Sequence, residues 1–162
     1  MAGILIAGVG DIFLGDDGFG PGVIRHLGRH FDADDDIRVA DYGIGGMHLA
    51  YDLLADWSAL VLVDAVPNRG SPGALHVFEA DHESLCATAA LDAHAMDPAT
   101  VFATLRALGG TAPRTIVVGC EVLDASDGIG LSGAVDAALP AAVEAIREAV
   151  AMLRGAPAAQ RR

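Results

Sequence analysis

Lysine is missing altogether, so all ten basic residues of this 162-residue chain are arginines. Against 22 carboxylates they leave a formal net charge of −12. That balance argues against nucleic acid and anionic membrane as partners, and fits attraction to a cation or a basic peptide. Cysteine is nearly missing. Cys86 and Cys120 are too few for a disulfide framework or a cysteine metal cage, and Cys120 ends an apolar run as a small core residue would. No apolar run approaches a membrane span; residues 59–63 are stopped at once by Asp64. No basic leader precedes the first apolar run, so no signal peptide is expected and the expected compartment is the cytoplasm. Gly-x-Ser-x-Gly is absent, which excludes the strained nucleophile elbow, and so is the His-Glu-x-x-His zinc helix.

What is present is a hydrophobic content of 52%, enough to bury a core at this length. Residues 1–155 read as a single domain and 156–162 as a flexible C-terminal tail. The chain is organised around Gly8-Val9-Gly10-Asp11-Ile12-Phe13-Leu14-Gly15-Asp16-Asp17-Gly18-Phe19-Gly20. An apolar run enters this stretch and an amphipathic run leaves it, so it reads as a strand-to-helix loop. Adjacent aspartates are costly to bury unless something positive neutralises them, and a metal ion is the natural candidate. A dinucleotide fingerprint fails on spacing: Gly8 and Gly10 fit, but Phe13 stands where the third glycine belongs. A flavin loop would carry Ser and Thr where this one carries two Asp. A loop that merely caps the following helix stays open at this point, because carboxylates are common at helix starts.

Strands are expected at 3–9, 37–41, 59–64, 75–78 and 114–120, alternating with helices. The third is the most continuously aliphatic and should be central; the fourth alternates, as an edge strand does. The first helix is expected to carry Phe19, Val23, Leu27 and Phe31 on one stripe. A second carries Leu49, Leu53 and Trp57, a third opens at Asp97-Pro98, and a last carries Leu139, Val143, Ile146, Val150 and Leu153. Pro140 either starts that last helix or kinks a longer one beginning near Ser132. Residues 80–96 follow no clear period. The pattern predicts a doubly wound α/β three-layer sandwich: five strands, mainly parallel, with helices on both faces. Ligands in such folds bind beyond the carboxyl ends of the strands. Three successive strand ends deliver carboxylates there: Asp16 and Asp17, then Asp41, then Asp64.

Carboxylates that hold a first-row metal are often joined by an imidazole. His26 and His30 share a helix that spends its other face on the core. His76 alternates within a strand and should be exposed, His48 sits early in the second helix, and His82 lies in the unassigned stretch. His94 belongs to the loop before the Asp97 helix. The order Gly-x-Gly-x-x-x-x-x-Asp-Asp-Gly-x-Gly, then Val-Asp-Ala at 63–65, then a loop histidine before a helix, resembles the NiFe-hydrogenase maturation endopeptidases. The likeness extends to the glycine loop 43–47, to Ser71-Pro72-Gly73 and to 119–132. It spans nearly the whole chain, from about residue 3 to 153.

The resemblance implies an enzyme that removes a C-terminal extension from the nickel-loaded precursor of the hydrogenase large subunit. It implies that nickel arrives with the precursor, with no tightly bound metal in the free protein. By position, Asp17, Asp64 and His94 are the nickel contacts; some relatives have Glu at the first. Asp41, Gly43, Gly45 and Gly46 match positions expected to recognise substrate. Asp11 departs from the pattern, since many relatives have Asn there. Without a Ser or Cys nucleophile, water is the expected attacking group, and a free carboxylate such as Asp16 is expected to orient it as a base. A non-catalytic module that binds nickel or the precursor is the competing reading.

Overall fold

The computed structural model describes residues 3–81 and 98–155. Five strands form one sheet: β1 (Gly3–Val9), β2 (Ile37–Gly43), β3 (Trp57–Val66), β4 (Leu75–Glu79) and β5 (Arg114–Glu121). Their order is β2-β1-β3-β5-β4, so the aliphatic β3 is central. β1, β2, β3 and β5 run parallel, and β4 pairs antiparallel at the edge. Among the described residues five helices surround it: α1 (Phe19–Leu27), α2 (Gly46–Asp52), α3 (Pro98–Ala107), α4 (Gly133–Asp136) and α5 (Leu139–Arg154). A 3₁₀ turn, Gly15–Gly18, precedes α1.

Side chains alternate across a strand, and this chain uses both faces. Ile4, Ile6, Val61, Val63 and Val118 pack under α1 and α5. Leu5, Ala7, Leu60, Leu62 and Val117 pack under α2 and α3. The three-layer, doubly wound sandwich expected from the sequence is therefore what forms. From β1 the chain steps to β2 on one side, then returns to place β3 on the other. The strand order reverses between β1 and β3, and a crevice opens at the carboxyl ends of strands at such a switch point.

Several boundaries differ from those expected. α1 stops at Leu27 because Gly28 adopts φ +54°, so Phe31 reaches the core from the following turns. α2 ends at Asp52, and Trp57 opens β3, its indole N–H donating to the Asp52 carbonyl at 2.9 Å. Pro140 lies in the first turn of α5, while Ser132 separately caps α4 by accepting from the Val135 N–H. The tail 156–162 and most of the stretch 80–96 lie outside the described residues.

Candidate active site at the carboxyl edge of the sheet

Two glycines set the geometry of the loop after β1. Gly10 adopts φ +142°, and a side chain there would run into the Asp17 carbonyl oxygen. The loop can thus fold back on Asp17, and the Asp11 N–H donates to Asp17 Oδ2 at 2.8 Å. A Cβ on Gly20 would strike the carbonyl oxygens of both Val9 and Val63. Only glycine lets the start of α1 lie directly on β1 and β3. The 3₁₀ turn that carries Asp16 and Asp17 packs against β3. Asp17 is half-buried at the switch point.

Asp16 is not the free carboxylate expected from the sequence. It is fully buried. Its Oδ2 accepts from the Leu123 N–H at 2.8 Å, the Asp124 N–H at 3.0 Å and the Ser132 hydroxyl at 2.8 Å. Its Oδ1 accepts from the Ser132 N–H at 2.7 Å. Burial pushes this carboxyl up, but the donors from Asp124, Ser132 and Leu123 outweigh it and hold the group below the usual carboxylate value. Every bond of the Asp16 carboxylate reaches the loop between β5 and α4. The backbones of the two loops are joined as well: Gly15 N–H to Gly128 O, Gly128 N–H to Phe13 O, and Asp16 N–H to Asp124 O, at 2.8 to 2.9 Å. Asp16 ties two loops together, and its engaged oxygens leave it no place as a base toward water.

Asp64 lies near the carboxyl end of β3, half-buried, in register with Gly119 of β5. By alternation it continues the row of Leu60 and Leu62. Asp41, on β2 opposite Gly8, is exposed, and its Oδ1 accepts from the Gly43 N–H at 2.8 Å. Gly43 needs its φ of +55°, and its carbonyl accepts from the Gly10 N–H at 2.9 Å, which couples the first two loops. Gly45 and buried Gly46 open α2. The structure therefore brings Asp17, Asp41 and Asp64 to one edge of the sheet. His94 and His82 lie outside the described residues, and among the described residues no three His, Cys, Asp or Glu side chains form a metal-holding group. His48 is exposed at the start of α2, edge-on to Tyr42 with ring centroids 5.9 Å apart.

The sequence reading missed Glu121. This carboxylate is buried, and it accepts from the Arg69 N–H at 2.7 Å and the Ser71 N–H at 3.1 Å. His76 Nε2 lies 2.7 Å from its other oxygen, so His76, exposed on β4 as expected, also partners this carboxylate. The Arg69 N–H, the His76 contact and the Ser71 N–H hold Glu121 below the usual glutamate value, against the effect of burial. The available signal was the one used for Asp41 and Asp64, a carboxylate at a strand end. Cys120 beside it is no nucleophile: burial first, then the Asp16 and Glu121 charges, push its thiol up to about 11.

This arrangement has known counterparts. The sequence profile of the HycI hydrogenase maturation proteases matches residues 21–149. The chain belongs to the hydrogenase maturation protease family. It is 28% identical over 148 residues to the hydrogenase 2 maturation protease of Escherichia coli, covering 91% of this chain and 90% of that one. It superposes on the hydrogenase maturating endopeptidase HybD from E. coli with a TM-score of 0.75 at 26% identity, covering 92% of each chain. It is also 38% identical over 82 residues to the coenzyme F420 hydrogenase subunit delta of Methanothermobacter thermautotrophicus; that match covers 52% of the relative's length. Among the described residues no helix is long and apolar enough to cross a membrane.

Proposed function

We infer that this chain is the endopeptidase that removes the C-terminal extension from the nickel-loaded precursor of a nickel–iron hydrogenase large subunit, in the cytoplasm. The observation that carries this reading is the placement of Asp17 beside β3, which bears Asp64, at the switch point between β1 and β3. A half-buried carboxylate with one oxygen fixed by a backbone N–H is preorganised to meet a cation. In this reading the precursor's nickel docks against Asp17, Asp64 and His94. Its own protein ligands complete the coordination, so the free protease needs no resident metal. Water attacks the scissile carbonyl; its hydroxyl stays on the new carboxyl terminus and its proton goes to the leaving amine. Asp41 and the glycines at 43, 45 and 46 flank the cut segment.

The test is intact-mass measurement of a nickel-loaded precursor after incubation with the protein. Loss of the extension is expected with nickel and not without it. Equal cleavage of nickel-free precursor, or stoichiometric zinc in the purified protein, would overturn the nickel-recognition mechanism. Precursor binding with no mass loss would leave only the non-catalytic alternative.

A further inference from the structure

The two loops tied by Asp16 present large apolar side chains to solvent. Ile12 and Phe13 come from the first loop and Leu123 and Ile129 from the second, with Phe13 60% and Ile129 77% exposed. Exposed apolar groups of this size, gathered on one backbone unit, mark contact sites. The unit is held in place rather than loose: its backbones are bridged at Leu14 and Gly128, and the Asp16 carboxylate crosses between them. The same loops carry Asp11, Asp124 and Asp127, while segments 10–18 and 122–133 contain no arginine at all. The surface is apolar and anionic together. It runs directly into the candidate site, because the Asp11 N–H that precedes Ile12 is the one that fixes Asp17.

We propose that this two-loop ridge is the docking surface for the segment of the substrate next to the cut, and that it selects a peptide alternating apolar with basic side chains. The inference rests on the peptidase reading above. The apolar groups supply contact area, and the unneutralised carboxylates select cationic flanks and disfavour acidic ones. Asp16 is a positioning residue for this ridge: it holds the second loop against the first and touches no substrate itself.

Two measurements test it with the full-length protein. The first is steady-state cleavage of the nickel-loaded precursor by the Phe13→Ser/Ile129→Ser double variant. KM is expected to rise about tenfold while kcat stays within about twofold, as for lost ground-state contacts that the chemistry does not use. An unchanged KM with intact cleavage overturns the ridge. The second is fluorescence anisotropy with a labelled synthetic peptide of about ten residues alternating Leu and Arg, against the same peptide with Glu for Arg. The basic peptide is expected to bind, more weakly as salt rises from roughly 50 to roughly 300 mM, and to be lost in the double variant. Equal binding of both peptides, binding retained by the double variant, or no binding at all overturns the proposal. If the wild type fails to cleave the precursor, the peptidase reading falls, and the anisotropy result decides the ridge by itself. Sedimentation showing a dimer that the double variant abolishes would assign the ridge to a second copy of this chain and overturn the proposal as well. Both substituted side chains are exposed, so an unchanged melting temperature verifies that the variant is folded.

Discussion

The two ends of the sheet handle their carboxylates in opposite ways. At the amino end they are met by arginines: Arg154 reaches Asp34 at 2.9 Å and Asp36 at 2.6 Å, and Arg114 lies 3.1 Å from Glu79. At the carboxyl end, Asp16, Asp17 and Asp41 are held by backbone N–H groups and a hydroxyl. A hydrogen bond to a neutral donor orients a carboxylate without cancelling its charge. An arginine orients it and cancels the charge as well. The amino end is therefore electrically settled, while the carboxyl end keeps a directed negative field for a cation that arrives from outside.

The sharpest way to break this contrast is at Asp17 and Asp64. Asp17→Ala or Asp64→Ala is expected to lower precursor cleavage by at least about a hundredfold, with at most a small fall in melting temperature. Intact mass and a thermal scan read the two effects separately. A large drop in melting temperature would mean that these carboxylates serve the fold, as the amino-end ones do.

Asp16 should give the largest effect on stability. Asp16→Ala strands the amides of Leu123, Asp124 and Ser132 and is expected to cost about 2–4 kcal/mol in urea unfolding. Asp16→Asn keeps the shape but turns an amide N–H₂ toward donors, so it should fall between Asp16→Ala and the wild type.

The third test is pH. The folded Asp16 carboxyl lies below its unfolded value of 3.8. Its stabilisation is therefore complete above that value and is lost as pH falls through the lower folded one. Glu121, below its unfolded 4.5, acts in the same direction. The wild type should lose stability steeply below about pH 4, and Asp16→Asn should flatten that acid limb in a series of urea titrations.

The smallest effect belongs to the amino end. Arg154→Ala should leave the urea midpoint almost unmoved, and added salt should erase whatever difference remains, since exposed ion pairs contribute little and are screened. A large loss from Arg154→Ala would remove the distinction between the two ends.

The architecture was legible because it rests on periodicity. Alternating apolar runs locate all five strands, and the uninterrupted aliphatic character of β3 marks it as central. The meeting of Asp17, Asp41 and Asp64 at the carboxyl edge was legible too, since each follows or ends a strand. What distinguishes Asp16 from its neighbour was not. Successive residues on a 3₁₀ turn point about 120° apart, so Asp16 meets the β5–α4 loop while Asp17 turns to the Asp11 N–H. The donors that claim Asp16 are mostly backbone amides, which every residue but proline supplies and no sequence pattern announces. Glu121 was hidden for the same reason, its partners being the amides of Arg69 and Ser71. The end of α1 was misjudged because Phe31 keeps the helical spacing although the chain has already turned at Gly28.

The bonds of Asp16 span 107 to 116 residues of sequence. A chain made from its amino end emits Asp16 long before Ser132 exists to meet it. At about 5–20 residues per second of synthesis, the first loop spends several seconds with its carboxylate in water and its partner loop unmade. Contacts this distant in sequence form late and slowly. The crevice therefore closes up only as the last strand and its loop are delivered. A ribosome-bound fragment ending before residue 132 would hold most of the sheet and no finished peptidase, so the timing of proteolytic competence is written into the order of the sequence.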